Sequence, residues 1–241
     1  MTSDPEERRD ELAKALAAVE ERVDRACAAA GRSRSEVRLL AVTKTFPATD
    51  AALLTDLGVL DLAENRDQEA GPKADELARL RPGAKVRWHM VGRLQRNKAR
   101  SVVRWADEVQ SVDSLRLADA LDRAARARDG EPVDVLVQAS LDDDPSRGGC
   151  PLAELPALAD HVASAEGLRL RGLMAVAPLG ADPGAAFERL ARSGEELRRN
   201  HPEATEVSAG MSADLESAIH HGSTCVRVGT ALLGGRGLAS P

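Results

Sequence analysis

Two cationic residues near opposite ends of the chain are each attached to an apolar run, and each is of a type that does chemistry once water is excluded. Lys44 follows the run Val37-Arg38-Leu39-Leu40-Ala41-Val42, and Arg227 lies inside Cys225-Val226-Arg227-Val228-Gly229-Thr230. A lysine just past a buried strand can be held in a dry pocket, where its free amine attacks an aldehyde. An arginine within a buried strand must face an anion or another acceptor, because an unpaired buried charge is too costly. In Ser208-Ala209-Gly210-Met211-Ser212 a glycine lets the backbone turn, and Ser212 can cap the helix that follows. Such a helix start favours an anion, and Gly229-Thr230 adds a second close backbone and a hydroxyl. An amine and an anion receptor at opposite ends of one fold imply an aldehyde-bearing phosphate.

Those residues need a scaffold that brings the chain ends together. Short β-type runs at 37–42, 59–63, 86–91, 108–112, 133–140, 168–176, 205–209 and 225–230 alternate with helical patterns at 51–57, 94–105, 114–127, 152–165, 185–200 and 213–221. The alternation predicts an α/β fold with a parallel sheet, and eight units favour a single closed (β/α)8 TIM-type barrel. An extra N-terminal helix is expected from Leu12, Leu16, Val19, Val23, Ala26 and Ala30, stopped at Gly31, and it covers the place of a missing long final helix. No low-complexity linker divides the chain, so residues 1–241 read as one domain.

In a barrel the residues just past each strand share one rim, where barrel enzymes build their sites. Here that rim collects Lys44, Asn65, Met174, Ser208, Gly210, Met211, Ser212, Arg227, Gly229 and Thr230. The ligand combining an aldehyde with a phosphate is read as pyridoxal 5'-phosphate (PLP). Singly, each residue also has a plain reading. Lys44 can be a solvated loop lysine, and Arg227 an interior arginine paired with Glu64 or another acid. His89 reads as a core hydrogen-bonding residue. Asn65 bonds a ligand hydroxyl or caps the next helix. The run Arg93, Arg96, Lys98 and Arg100 is a solvated helix face that can also draw an anion toward the rim.

The bulk properties narrow the class. The chain has 241 residues, 43% hydrophobic and 30% charged, with a formal net charge of −6. That balance speaks against nucleic-acid or anionic-membrane partners. The charged start and the lack of a long apolar segment imply no secretory signal and no membrane span. Three cysteines, Cys27, Cys150 and Cys225, have neither metal-ligand nor disulfide spacing, so a reduced cytoplasmic protein without metal is expected. The chain contains no tyrosine, so no phenolic acid or base is available from it.

At these residues the chain resembles the YggS/PROSC family of PLP homeostasis proteins. The resemblance rests on Ala41-Val42-Thr43-Lys44, Glu64-Asn65, Trp88-His89-Met90-Val91-Gly92, Leu94-Gln95-Arg96-Asn97-Lys98, Arg171-Gly172-Leu173-Met174, Gly210-Met211-Ser212 and Val226-Arg227-Val228-Gly229-Thr230. It implies a fold like the alanine racemase N-terminal barrel, with Lys44 as the Schiff base lysine. It further implies phosphate contacts from Ser212, Gly229 and Thr230, and Arg227 near the pyridine nitrogen. Two departures stand out: Ala63 replaces the usual glycine before Glu-Asn, and Arg147 sits where many relatives carry a lysine. The arginine makes a second covalent site in that loop doubtful. The expected role is intracellular PLP homeostasis and supply, without catalytic residues, with PLP-dependent apo-enzymes as recipients and a monomeric state. The competing readings are a racemase-like PLP enzyme and a barrel acting on an unrelated sugar or keto phosphate.

Overall fold

The apolar runs become parallel strands that close on themselves. The computed structural model describes residues 4–128, 130–142, 148–178, 180 and 182–235, so the Arg147 reading and the last residues of the tail lie outside the described residues. The strands are β1 (Arg38–Val42), β2 (Asp61–Glu64), β3 (Arg87–Met90), β4 (Glu108–Val112), β5 (Val133–Ser140), β6 (Cys150–Pro151), β7 (Leu168–Met174), β8 (Glu206–Ser208) and β9 (Cys225–Val228). Their order is β4-β3-β2-β1-β9-β8-β7-β5, and β4 pairs back to β5, so eight parallel strands form the expected closed barrel. β6 pairs with the end of β5 outside that ring.

Helices α1 (Pro5–Ala29), α2 (Ala48–Asp56), α3 (Asp67–Leu80), α4 (Ala99–Val102), α5 (Leu115–Arg126), α6 (Leu155–Ala163), α7 (Pro183–Asn200), α8 (Leu215–His220) and α9 (Thr230–Leu233) surround it. Their starts and stops follow local chemistry. Asp182 caps α7 by accepting from the Gly184 N–H at 3.0 Å, and Pro183 occupies the first turn, where no N–H is missed. α1 ends where Gly31 takes φ +66, with Gly31 N–H donating to Ala28 and Arg32 N–H to Cys27, a Schellman stop. α1 packs on α2, α8 and α9, the flank left open by the short C-terminal helix.

Two elements differ from the expectation. The helix expected over 94–105 contracts to one 3₁₀ turn, Arg96–Lys98, and the single turn α4. The cause is upstream: Gln95 is extended, and a Cβ at Gly92 would come 2.1 Å from the Asn65 carbonyl oxygen, so the chain stays pressed along the neighbouring loop. Conversely, α3 is absent from the helical stretches expected above; it runs through Gly71-Pro72, with Ala70, Lys73 and Leu77 buried on one face.

The barrel's inner face is charged at the N-terminal end of the strands. Glu108 is fully buried and accepts from Arg87 at 2.7 Å, His89 at 3.0 Å and Gln110 at 2.7 Å. The other His89 nitrogen meets Asp61 at 2.8 Å, and Arg38 joins Asp61 at 3.3 Å to Glu206 at 2.7 Å. Burial alone would lower the His89 pKa, but hydrogen bonds to Asp61 and Glu108 outweigh it and the pKa is raised. Burial would likewise raise Glu108, yet the bond to His89 and the charges of His89, Arg38 and Arg87 hold it at about 2. The two groups therefore stabilise the fold over different windows. The contribution of Glu108 is present above the ordinary carboxylate range and is lost as pH falls toward about 2. The contribution of His89 is full below the ordinary imidazole value and fades as pH rises through its raised pKa. Denaturant titrations of His89→Gln against the parent should accordingly show a stability gap in mildly acidic solution that narrows as pH rises beyond the ordinary imidazole range. A gap that widens with pH would mean His89 is held neutral.

Candidate functional site

β8, β9 and β1 are consecutive neighbours in the barrel, so the loops leaving their C-terminal ends emerge side by side. From β1 comes Lys44. Leu40 lies in an interior cluster with Ala63 and Cys225, Val42 packs on that cluster, and Lys44 continues this alternation two residues on. Its amine makes no hydrogen bond or ion pair among the described residues, and the side chain is half-buried. Thr45, directly after it, has φ +69, a left-handed conformation that a β-branched residue rarely adopts.

A clamp behind the loop holds that bend. Glu64 is fully buried on the outer face of β2, where it accepts from Thr43 Oγ1 at 2.6 Å and pairs with Lys73 of α3. Lys73 Nζ also donates to the Thr43 carbonyl oxygen at 2.8 Å. One lysine thus bolts the backbone next to Lys44 to a helix whose existence the sequence reading did not register. The hint available was Glu64 and Lys73 nine positions apart, which means nothing until a strand and a helix are known to face each other.

The loops from β8 and β9 make the second half. Gly210 takes φ +91, and a Cβ there would sit 2.6 Å from the Ala218 Cβ, so only glycine fits. Its carbonyl accepts from the Arg227 N–H at 2.9 Å. Ser212 does not cap α8, as had been expected. Asp214 occupies that position, and its carboxylate turns back to accept from the Met211 N–H at 2.6 Å. Ser212 Oγ instead accepts from the Ala231 N–H at 3.4 Å, joining the Gly210–Ser212 loop to the Gly229–Thr230 turn at the start of α9. Arg22 of α1 holds the same loop from outside through the Ser212 carbonyl at 3.1 Å. Met211 and Thr230 are exposed, whereas Gly229 and Ser212 are half-buried.

Below this lip, Arg227 is buried but not paired with an acid. Its guanidinium donates to Ser208 Oγ at 2.8 Å and to the Ala175 carbonyl at 2.9 Å. Glu64 is out of reach because strand alternation turns it to the opposite face of β2. Burial draws the Arg227 pKa down. Ser208 is fully buried and spends its own proton on Gln110 Oε1 at 2.7 Å, so it supports Arg227 from beneath and does not face the rim. Met174 ends β7 beside Ser208 and is almost fully buried. Asn65 stands past β2, and its Oδ1 is buried without a partner; so is Ser111 Oγ at the end of β4. His89 is not at the rim and serves the ionic floor.

These features fit an aldehyde-bearing phosphate: a free amine, two joined loops with glycine-permitted backbone, and orphaned buried oxygens that a polar ligand would satisfy. Among the described residues no group of three or more His, Cys, Asp or Glu could hold a metal, and no helix is long and apolar enough to cross a membrane. The clamp is open to a direct check. Lys73→Met leaves Glu64 buried without its cation and should cost about 3–5 kcal/mol, with the double variant Glu64→Met/Lys73→Met recovering most of it. Chemical denaturation of the three proteins reads the difference, and an unchanged single variant would mean that the pair is not formed.

Residues 15–237 match the family model described as alanine racemase, N-terminal domain. The chain is 51% identical to the pyridoxal phosphate homeostasis protein of Mycobacterium tuberculosis, over 98% of this chain and 96% of that one. It is 38% identical to the protein of that name from Escherichia coli K12, over 94% and 97%. PipY of Synechococcus elongatus, solved with PLP bound, superposes with a TM-score of 0.78 at 35% identity, covering 92% of this chain and 100% of that one.

Proposed function

The chain belongs to the alanine racemase N-terminal domain family and, within it, to the pyridoxal phosphate homeostasis proteins, and from that premise we propose that it binds PLP and serves PLP homeostasis without turnover of its own. The observation that carries the reading is the adjacency of the unpaired Lys44 amine to two loops joined at Ser212 and Ala231 on neighbouring strands.

PLP, when bound, supplies an aldehyde for covalent attachment and a pyridine ring able to withdraw electrons. Lys44 provides the amine that bonds the aldehyde. Ser212, Gly229 and Thr230, with the backbone of Gly210 and Met211, receive the phosphate. Asn65 Oδ1 accepts from a ligand hydroxyl, and this satisfies an atom otherwise buried alone. Arg227, its guanidinium fixed by Ser208, would face the ring nitrogen, and Met174 would supply apolar contact.

The chain's own groups favour holding over chemistry. A permanent cation such as Arg227 beside the ring nitrogen opposes protonation there. Racemisation needs an acid or base on each face of the substrate carbon, and the chain contains no tyrosine to offer one. The proposal extends to residues 1–241 as one PLP-binding unit, monomeric and cytoplasmic, that passes its cofactor to PLP-dependent apo-enzymes.

Purified protein with added PLP should develop an absorbance band that borohydride bleaches, and peptide mass mapping should find the adduct on Lys44. Lys44→Ala should lose band and adduct with its melting temperature kept, because the side chain stands at the rim. An adduct on another lysine would move the site. Amino-acid racemisation at about 1 s⁻¹ or faster, the range of working enzymes, would overturn the absence of turnover.

A further inference from the structure

Beside the proposed cofactor mouth lies a cleft of about 1180 Å³, walled by the loops after β2, β3 and β4 and by one face of α5. It absorbs the basic run that neither the fold nor the cofactor site used. Arg93, Arg96 and Lys98 come from the contracted segment after β3, and Arg116 and Arg123 stand seven apart on α5. None of these five side chains makes a hydrogen bond or ion pair among the described residues. Arg8, Arg22, Arg32, Arg34, Arg38, Arg81, Arg87, Arg169 and Arg171 hold carboxylates, and free cations such as Arg198 and Arg199 also occur, but these five are gathered on one cleft. The acidic side chains lining the cleft are Asp67 and Asp113, and Asp67 already accepts from the Trp105 indole at 3.0 Å. The amphipathic pattern of α5 explains why Arg116 and Arg123 face outward: Leu117, Ala118, Leu121, Ala124 and Ala125 take the buried side.

We propose that this cleft is the docking site for an acidic segment of a partner protein, which seats it next to the PLP mouth. The inference rests on the PLP-supply reading and names the kind of surface a recipient apo-enzyme presents. Four of the five free cations are arginines, whose planar forks bind carboxylates in pairs. They come from two separate elements, and the cleft exceeds the roughly 300–1000 Å³ of a small-ligand pocket. A long nucleic acid would overrun the cleft onto a chain of net charge −6, whereas a short acidic segment meets only the local positive field. Asn65, which lines the cleft, is also the residue assigned to the cofactor hydroxyl, so the two sites share a wall.

The test uses PLP-loaded protein and a fluorescein-labelled deca-glutamate peptide, followed by anisotropy at low and high salt. Binding is expected at about 20 mM salt, weakening at least about tenfold by about 300 mM. The variant Arg93→Glu/Arg96→Glu/Arg116→Glu/Arg123→Glu should lose at least about tenfold, while Arg198→Glu/Arg199→Glu on the far end of α7 binds as the parent does. The cofactor band and the PLP affinity should be the same in all three, since no altered residue belongs to the cofactor site. No peptide binding by the parent, equal binding by the cleft variant, or tighter binding of a labelled oligo-dT than of the peptide would each overturn the proposal. Failure of the PLP reading itself would appear separately, as a missing absorbance band in the parent.

Discussion

A chain of hydrogen bonds runs the depth of the barrel, and the arrangement of the rim depends on it. It begins at Arg227, passes through Ser208 and Gln110 to Glu108, and reaches Asp61 and Arg38 through His89. Each member has its partners because the next one is in register, so the strands cannot slip without leaving buried charges alone. A slip of one residue in any of these strands would turn that strand's members to the apolar outer face. Such interior ionic networks contribute little net stability against a well-packed apolar core, but breaking one is costly. Their effect here is to fix one register, and with it the height at which Arg227 stands under the rim.

Around that axis the fold divides its labour. The outer face of the barrel buries leucine, valine and alanine against the helices in two large clusters, and these carry the hydrophobic stabilisation. The inner face is free to be polar because it is closed below by the ionic floor. α1 closes the flank that the short α9 leaves open, and through Arg22 and Arg8 it also ties down the Ser212 loop and the end of α9. A helix at the start of the chain thus steadies a loop formed near its end.

The Lys44 loop is held in a different way. A left-handed β-branched residue costs about 1–2 kcal/mol, and it persists at Thr45 because Lys73 and Glu64 fix the preceding carbonyl and hydroxyl from behind. The strain keeps Lys44 from continuing into a regular helix start, and the amine is left unpaired beside the β8 and β9 loops. Rigidity beneath the lysine and an unpaired, half-buried amine are what the proposed attachment of PLP would require.

The sequence alone determined the barrel and the N-terminal helix with its Gly31 stop, and it put Lys44, Arg227 and the two glycine-containing loops in or just past strands of that barrel. Each of these is written in a local pattern: period-two runs, period-three-and-four runs, or a glycine where the backbone must turn. The tertiary structure decided what depends on elements far apart in the chain. That Ser208 supports Arg227 instead of facing the rim, that Ser212 joins Ala231 instead of capping α8, and that Lys73 holds Glu64 all follow from which strands and helices are neighbours. The short α4 and the added helix α3 belong to the same class, since close packing at Gly92 and burial of Ala70, Lys73 and Leu77 decided them. Local rules name the groups that can do chemistry, whereas partners of buried polar groups are chosen by the closed barrel, because only there does an unpaired charge become too costly to keep.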